Sequence, residues 1–209
     1  MSKRDYKLAA LAGLVIGLLI LPVLSAVKPA VFKKIAFVTV PFFLIATPSA
    51  LLLVYSISRT IPILWQIGKF AVTGVMNVLV DWGVLTSLVF LFRKYFGIDS
   101  RDLIIAGITF YSLYKAVSFI IGNINSYYWN RYWTFGVQTG KKTRAELLQF
   151  FIVSAAGFLT NVLVASYVFS SVRLIEGLTI DQRGVVGAAA GSVAGLLWNF
   201  LGYKFIVFK

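Results

Sequence analysis

The chain has 209 residues, of which 59% are hydrophobic and 13% charged, and its mean hydropathy is +0.88. A soluble domain of this composition would expose large apolar patches to water, and a disordered chain needs the opposite composition. Cysteine and histidine are absent, which excludes disulfides, Cys/His zinc sites, thiol nucleophiles and imidazole bases. The net charge of +13 comes mostly from Lys and Arg between apolar runs, where they serve as membrane-surface anchors rather than nucleic-acid contacts.

Six apolar stretches are each long enough for a membrane-spanning helix of about 20 residues. They are continuous rather than alternating at period two, so helices are favoured over barrel strands. The predicted fold is an all-α integral membrane protein with six transmembrane helices, at residues 8–26, 35–57, 67–92, 103–129, 147–172 and 184–207. The first stretch also fits a signal peptide, because basic residues precede it and residues 24–26 resemble a cleavage site.

An internal repeat divides the chain. Shifts of 80 and 73 residues superpose similar residues of the third and fifth stretches and of the fourth and sixth. The superposed pairs are Asn77 with Gly157, Asp81 with Asn161, Gly122 with Gly195, and Arg131 with Lys204. We therefore predict a duplicated two-helix repeat, about 66–136 and 146–209, that forms a four-helix core of parallel repeats. Residues 1–65 are predicted as an N-terminal two-helix membrane hairpin and connector, packed outside that core.

The Lys and Arg residues of the loops predict the orientation. With the N-terminus inside, they divide eleven to eight in favour of the inner side. Both termini are therefore expected on the cytoplasmic side of the cell membrane, and a dual-topology protein stays open. Lys141, Lys142 and Arg144 lie in the longest inner loop, where they can contact anionic lipids or dock a soluble enzyme.

Asp81 is the only acidic residue within a predicted span, where an isolated charge is costly. Lys115 lies at a similar depth in the next, antiparallel helix, so the two are expected to pair, either as a structural ion pair or as a proton- or substrate-linked site. Asn77 shares the helical face of Asp81 at spacing four. The predicted intramembrane polar site consists of Asp81, Lys115, Asn77, Asn161, Asn125 and Asn199.

Small residues recur at four-residue steps in the last helix, at Gly187, Gly191 and Gly195, and in the fourth, at Ser118, Gly122 and Ser126. Such faces let helix backbones approach closely. We expect them to pack the two repeats against each other, or alternatively to form the interface of a homo-oligomer.

Aromatic residues surround Arg131 at one predicted membrane face: Tyr128, Trp129 and Trp133. This cluster fits an aromatic belt with an interfacial anchor. It equally fits a lipid-phosphate clamp, because a guanidinium holds phosphate oxygens bidentately while aromatic rings pack the first isoprene units.

Four motifs together resemble one known family. They are Phe70-x-x-x-Gly74-x-x-Asn77-x-x-x-Asp81, Asn130-Arg131-Tyr132-Trp133-Thr134-Phe135, Gly157-x-x-x-Asn161 and Asn199-Phe200. From about residue 66 onward the chain is similar to the GtrA-like family, whose module is shared with the membrane part of some dolichol-phosphate mannose synthases. Two positions depart from the pattern: Ser154 stands where Gly is preferred, and Tyr203-Lys204 replaces Asn-Arg in the second copy.

The resemblance implies a small membrane protein of cell-surface polysaccharide or glycolipid synthesis. It would flip polyprenyl phosphate or a polyprenyl-phosphate-linked sugar across the membrane, or act as the membrane partner of the glycosyltransferase that makes it. We predict Arg131, Lys204 and Asn130 as lipid-phosphate-binding residues, and Tyr128, Trp129 and Trp133 as the aromatic lining. Duplication is expected to bring Arg131 and Lys204 to the same membrane face.

The residues form no nucleophile with a base, no paired carboxylates and no phosphate-cradling glycine loop. We therefore expect a protein that is not an enzyme and needs no cofactor or metal. Three functions stay open: a translocator of the polyprenyl-phosphate lipid, a non-catalytic anchor of a membrane glycosyltransferase, and a small proton-coupled exporter that uses Asp81. The first is the preferred hypothesis.

Overall fold

The computed structural model describes residues 1–137, 144–172 and 179–208. This described part contains the α-helices α1 (Lys3–Val27), α2 (Pro29–Ser58), α3 (Ile63–Phe96), α4 (Phe110–Trp129), α5 (Arg144–Ser171) and α6 (Ile180–Gly202). Two five-residue π-helical segments, Asn130–Thr134 and Tyr203–Val207, continue α4 and α6. The strands β1 (Leu103–Ile105) and β2 (Ile108–Thr109) form an antiparallel hairpin. The chain divides into two compact units, Met1–Gly136 and Val137–Lys209, which we describe separately.

Five helices of the described part are long and apolar enough to cross a membrane: α1, α2, α3, α5, and α6 with its π segment. Large apolar side chains on their outer surfaces are exposed, which is the arrangement that lipid favours. The prediction of a helical, multi-pass membrane protein is confirmed in this form. The predicted count of six spans is not confirmed, because α4 carries Lys115 and several serines and asparagines that lower its hydropathy.

The predicted fourth span begins at residue 103, seven residues before the helix α4 begins at Phe110. Residues 103–109 form the β1–β2 hairpin instead of helix, because Ala106 and Gly107 adopt φ values of +41° and +81° in its turn. Glycine adopts this left-handed conformation readily, and such two-residue turns favour hairpins. Thr109 then caps α4 by accepting a hydrogen bond from the backbone N–H of Ser112, so the helix begins at Phe110.

The loop between α3 and α4 contains an exposed ion pair. Asp99 Oδ1 accepts hydrogen bonds from the backbone N–H and from Nε of Arg101, at 2.9 and 3.0 Å. The Arg101 side chain thereby lowers the pKa of Asp99 to about 2.

In the first unit, α1 and α2 form a hairpin with closely packed backbones. A Cβ at Gly17 would lie 2.9 Å from Val40 Cα, and a Cβ at Gly13 would collide with the Phe43 carbonyl. Small residues at these two positions therefore bring the helices together without a side chain between them.

The α1–α2 hairpin also shares a buried core with α3. One cluster contains Ala9, Ala12, Ile16 and Leu51 from the hairpin, Met76 and Leu79 from α3, and Trp133 from the first π segment. Within this unit the hairpin therefore shares buried residues with α3 and the first π segment. Its expected position outside the four-helix core stays a prediction. The domain boundary near residue 65 stays a prediction.

In the second unit, the glycine face of α6 packs on α5. A Cβ at Gly187 would lie 2.7 Å from Ala165 O, and a Cβ at Gly191 would collide with Asn161 O. We expected this face to pack between the repeats or between subunits. That expectation is corrected, because the neighbours of these glycines belong to α5 of the same unit.

Leu51 tests the contribution of the hairpin to the core. Its side chain is 2% exposed, whereas that of Leu53 on the same helix is 70% exposed. We expect Leu51→Ala to destabilise the detergent-solubilised protein by about 2 kcal/mol, because it leaves a cavity between α2 and the core. Leu53→Ala should change stability by less than about 0.5 kcal/mol. Thermal unfolding checks both, and equal effects would mean that the hairpin does not support this core.

Gly191 tests the α5–α6 contact. Gly191→Ala should lower the stability of the second unit by about 1 to 3 kcal/mol, because a methyl group must push the helices apart. Gly184 on the same helix has open space around it, so Gly184→Ala should be neutral or slightly stabilising. Limited proteolysis between α5 and α6 during a thermal ramp compares the two variants. A neutral Gly191→Ala would contradict the close contact.

Candidate functional site

The π segment after α4 ends in carbonyls that are satisfied by cations. Phe135 N–H donates to Asn130 O at 2.9 Å, five residues back, as a π-helix requires. Tyr132 O accepts a hydrogen bond from Arg4 Nη2 at 3.0 Å, and Trp133 O accepts one from Lys69 Nζ at 2.7 Å. Because lipid offers no donors, such partners must come from the protein.

Trp133 also joins α1 through its side chain. Its indole Nε1 donates to Asp5 Oδ1 at 3.2 Å, while Asp5 Oδ2 accepts from the Ser2 hydroxyl at 2.6 Å. The beginnings of α1 and α3 and the end of α4 therefore meet at one end of the first unit. That end collects the cations Lys3, Arg4, Lys7, Lys69 and Arg131.

The predicted lipid-phosphate residues lie in or beside the π segments. Arg131 is 2% exposed, and its guanidinium carbon lies 5.8 Å from the centroid of the Tyr132 ring. Asn130 is equally buried and donates from Nδ2 to Ser126 O at 2.9 Å. Lys204 is half-buried in the second π segment, with Nζ 5.6 Å from the centroid of the Phe205 ring. Their phosphate-binding role stays a prediction.

The predicted aromatic residues line a pocket of about 240 Å³ between α1 and the end of α4. Its described lining is Arg4, Leu8, Leu11, Tyr128, Trp129, Tyr132 and Trp133. Tyr128 and Tyr132 stack with ring centroids 6.3 Å apart, and Trp129 and Trp133 meet edge-on at 5.4 Å. The sequence placed these rings around Arg131. In the described part of the pocket wall the cation is Arg4.

Asp81 and Lys115 form an ion pair between α3 and α4. Lys115 Nζ donates to Asp81 Oδ2, and the Ser118 hydroxyl lies 2.6 Å from Asp81 Oδ1 and 3.0 Å from Lys115 O. The side chains are 17% exposed for Asp81 and 42% for Lys115. Asp81 is therefore compensated by a charge and a hydroxyl, as its depth in the membrane requires.

Asn77 lies one turn from Asp81, opposite Gly122. A Cβ at Gly122 would lie 3.4 Å from Asn77 Oδ1 and 3.5 Å from Asp81 Cβ, so the glycine leaves room for these polar side chains. Among the described residues, buried Asn77 Oδ1 and Asn125 Nδ2 have no hydrogen-bond partner. An unsatisfied buried amide costs free energy, so this face of α3 and α4 favours water or a polar group over lipid.

The second unit repeats the contacts of the first with uncharged residues. A Cβ at Gly195 would lie 2.9 Å from Gly157 O and 3.0 Å from Asn161 Cβ, and Asn199 packs directly on Gly157. The predicted repeat aligns these positions with Gly122, Asn77 and Asp81. The two π segments also lie 73 residues apart, which is the offset of that alignment.

The two departures from the family pattern contact each other. The Ser154 hydroxyl and the Tyr203 hydroxyl lie 2.7 Å apart, and the Tyr203 ring stacks on Phe150 with a centroid distance of 4.2 Å. Ser154, which stands where the family prefers Gly, therefore gives a hydrogen-bond partner to the Tyr203 hydroxyl, which stands in place of Asn.

A comparison with protein-family models gives a match to the GtrA/DPMS transmembrane domain over residues 69–208. The chain belongs to the GtrA/DPMS transmembrane-domain family. The resemblance seen in the motifs is thereby confirmed, and the matched region extends from Lys69 in α3 to Phe208, the residue after the second π segment. The GtrA/DPMS match does not include α1, which supplies Arg4 and Asp5, or α2.

This GtrA/DPMS protein is similar to the uncharacterized membrane protein YngA of Bacillus subtilis (strain 168). The two are 30% identical over 143 residues, which cover 68% of this chain and 78% of the relative. No solved structure matches the chain significantly.

Sequence reasoning gave no role in this GtrA/DPMS site to Lys69, Ser118, Arg4 and Asp5. Ser118 was assigned only to a small-residue face, although its position three residues after Lys115 puts it on the same side of α4. Arg4 and Asp5 contact residues 128 positions away, and no local pattern indicates those contacts.

The Asp81–Lys115 pair predicts strong coupling between its members. We expect Asp81→Asn and Lys115→Gln each to lower stability by about 1 to 3 kcal/mol, because removing one partner leaves the other charge uncompensated. The double variant should recover much of the loss. Thermal unfolding of the four proteins gives the coupling energy.

Lys94→Gln is the matched control, because Lys94 is exposed on α3 and lies over the Phe90 and Tyr95 rings rather than near Asp81. The Lys94→Gln variant should differ from the wild-type protein by less than about 0.5 kcal/mol in its free energy of unfolding. Additive losses for Asp81→Asn and Lys115→Gln would mean that the pair contributes no mutual stabilisation.

Proposed function

We propose that this protein flips polyprenyl phosphate, or a polyprenyl-phosphate-linked sugar, across the cell membrane during cell-surface polysaccharide or glycolipid synthesis. Family membership supports a membrane role in glycolipid synthesis. The observation that carries the proposal is the cationic and aromatic end of the first unit, where Lys69 and Arg131 lie beside Trp129 and Trp133. Cations bind phosphate oxygens, and rings pack against an isoprenoid chain.

A polar stripe leads from this end into the membrane. Lys69, Thr73, Asn77 and Asp81 recur at four-residue spacing on α3, and Thr73 lies 3.5 Å from the Thr134 hydroxyl. The stripe is about 18 Å long, which is more than half of a hydrocarbon core of about 30 Å. In the proposal, a sugar or phosphate head group follows this stripe while its lipid tail stays in the bilayer.

We propose further that α4, with its π segment, is the sixth span. It runs beside α3 from the Lys69–Trp133 hydrogen bond to the Phe92–Tyr114 ring contact, whose centroids are 5.0 Å apart. The intervening part of α3 is about 35 Å long, enough for a bilayer. With six spans, both termini lie on one side, and the distribution of Lys and Arg favours the cytoplasm.

The matching glycine contacts and π segments of the two units support the duplicated repeat. Arg131 and Lys204 are then equivalent cations, one in each copy. Arg131 is the better phosphate ligand because its guanidinium is planar and bidentate, whereas Lys204 acts as a point charge.

The second candidate is a non-catalytic membrane partner of a polyprenyl-phosphate glycosyltransferase. The family description, which names a transmembrane domain, favours it. Lys141 and Lys142, proposed to contact lipid or an enzyme, lie outside the described residues. A scaffold should co-purify with its transferase and tolerate Asp81→Asn, whereas a translocator should not. A proton-coupled exporter would instead require pH-driven uptake of a soluble substrate. In none of these roles is the chain itself an enzyme.

Proteoliposomes test the preferred function. With a fluorescent polyprenyl phosphate, the wild-type protein should accelerate lipid flipping. Arg131→Ala should weaken lipid binding about 10-fold or more, since a charge-assisted hydrogen bond contributes about 1.5 to 3 kcal/mol. Lys204→Ala should have a smaller effect, and Arg131→Lys should restore only part of the affinity.

Arg101→Ala serves as control, because Arg101 is exposed in the α3–α4 loop and pairs with Asp99. Thermal unfolding of each variant separates lost binding from lost folding. A nearly silent Arg131→Lys would indicate an interfacial anchor instead of a phosphate ligand.

A further inference from the structure

We infer that the pocket between α1 and the end of α4 binds the phosphate and first isoprene units of one polyprenyl phosphate, with Arg4 as a phosphate ligand. This inference rests on the proposed function and extends it to the appended hairpin. Arg4 lies outside the residues matched by the GtrA/DPMS domain, so the family match assigns it no role.

The geometry of Arg4 suits a phosphate. Its side chain is exposed, and its Nη2 donates to Tyr132 O at 3.0 Å, which holds the guanidinium at the rim of the pocket. A guanidinium has five N–H donors in a planar fork. The one bond to Tyr132 therefore orients the group while further donors can reach phosphate oxygens.

The nearest acidic residue is engaged elsewhere. Asp5 follows Arg4 directly, but one carboxylate oxygen accepts from Trp133 Nε1 and the other from the Ser2 hydroxyl. Both carboxylate oxygens of Asp5 are therefore hydrogen-bonded within the protein, and Asp5 is not part of the described pocket wall. A phosphate bound in this pocket would therefore contact the Arg4 guanidinium rather than the Asp5 carboxylate.

The apolar part of the pocket continues along α1. Arg4, Leu8 and Leu11 follow one another at the spacing that places residues on one helical face, and all three line the pocket. This order, cation first and hydrocarbon next, matches a lipid whose phosphate lies at the membrane surface and whose tail points into the bilayer. Tyr128 and Trp129 form the opposite wall.

The size of the pocket favours a single chain. Its volume of about 240 Å³ is below the range of about 300 to 1,000 Å³ that is typical of sites for drug-sized ligands. A phosphate monoester with the beginning of one isoprenoid chain suits this space. A phospholipid is a phosphate diester, so it presents less charge to Arg4 and carries a glycerol with two acyl chains beside the phosphate.

Binding of polyprenyl phosphate to the full-length protein in detergent tests the inference by native mass spectrometry, with polyprenol and phosphatidylglycerol as competitors. Arg4→Gln keeps an N–H donor for Tyr132 O but removes the charge. We expect it to weaken polyprenyl-phosphate binding about 10-fold and to leave polyprenol binding unchanged, because only the phosphate needs the cation. Arg4→Lys should restore part of the affinity.

Two variants control for charge and for folding. Lys3→Gln removes the same charge one residue away, at a position that lines a different pocket, and should change binding less than about twofold. Leu11→Trp fills the pocket without altering charge, and because Leu11 is 45% exposed we expect the variant to fold. It should weaken the binding of both polyprenyl phosphate and polyprenol.

The outcomes separate this site from the proposed function. If wild-type protein binds and Arg131→Ala weakens binding while Arg4→Gln does not, the Arg4 site is overturned and the function stands. Equal losses in Lys3→Gln and Arg4→Gln, or equal competition by phosphatidylglycerol, would also overturn the site. If wild-type protein does not bind polyprenyl phosphate, both the site and the function fail.

Discussion

The first unit is organised by the lack of hydrogen-bond donors in lipid. Every carbonyl and charge at membrane depth must find its partner within the protein. The π segment leaves Tyr132 O and Trp133 O to be satisfied by Arg4 and Lys69, which requires α1 and α3 to begin where α4 ends. The same constraint brings Lys115 to Asp81 near the middle of α3. Two sets of polar contacts, about 18 Å apart, thus fix how these helices align.

The two units meet this constraint with different chemistry. The first uses an ion pair, whereas the second places Asn161 and Asn199 at the corresponding helix contact and needs no compensating charge there. Its Ser154 and Tyr203 hydroxyls satisfy each other at a position where the first unit has Gly74 and Asn130. If the units arose by duplication, the two copies now differ at this helix contact, which is charged in the first unit and uncharged in the second. This asymmetry agrees with a function that depends more on Arg131 than on Lys204.

Much of this fold follows from the sequence, and the exceptions have physical causes. Span lengths and the contact between Asp81 and Lys115 follow from apolar run lengths, because depth along a helix is fixed by residue number. The β1–β2 hairpin was missed because hydropathy does not register the left-handed turn at Ala106 and Gly107. A small-residue face such as that of Gly191 shows that a helix packs closely but not against which neighbour. The position of Arg4 depends on a contact across 128 residues, which no local pattern encodes.

The Asp99–Arg101 ion pair in the α3–α4 loop depends on pH through the ionisation of Asp99. A carboxylate whose pKa is about 2 when folded, against 3.8 for an ordinary Asp, stays ionised in any moderately acidic medium. Its contribution to stability is complete above the ordinary value and disappears only as the pH falls through about 2. If this loop faces the outside, as the charge distribution predicts, a moderately acidic exterior would leave the Asp99–Arg101 ion pair intact.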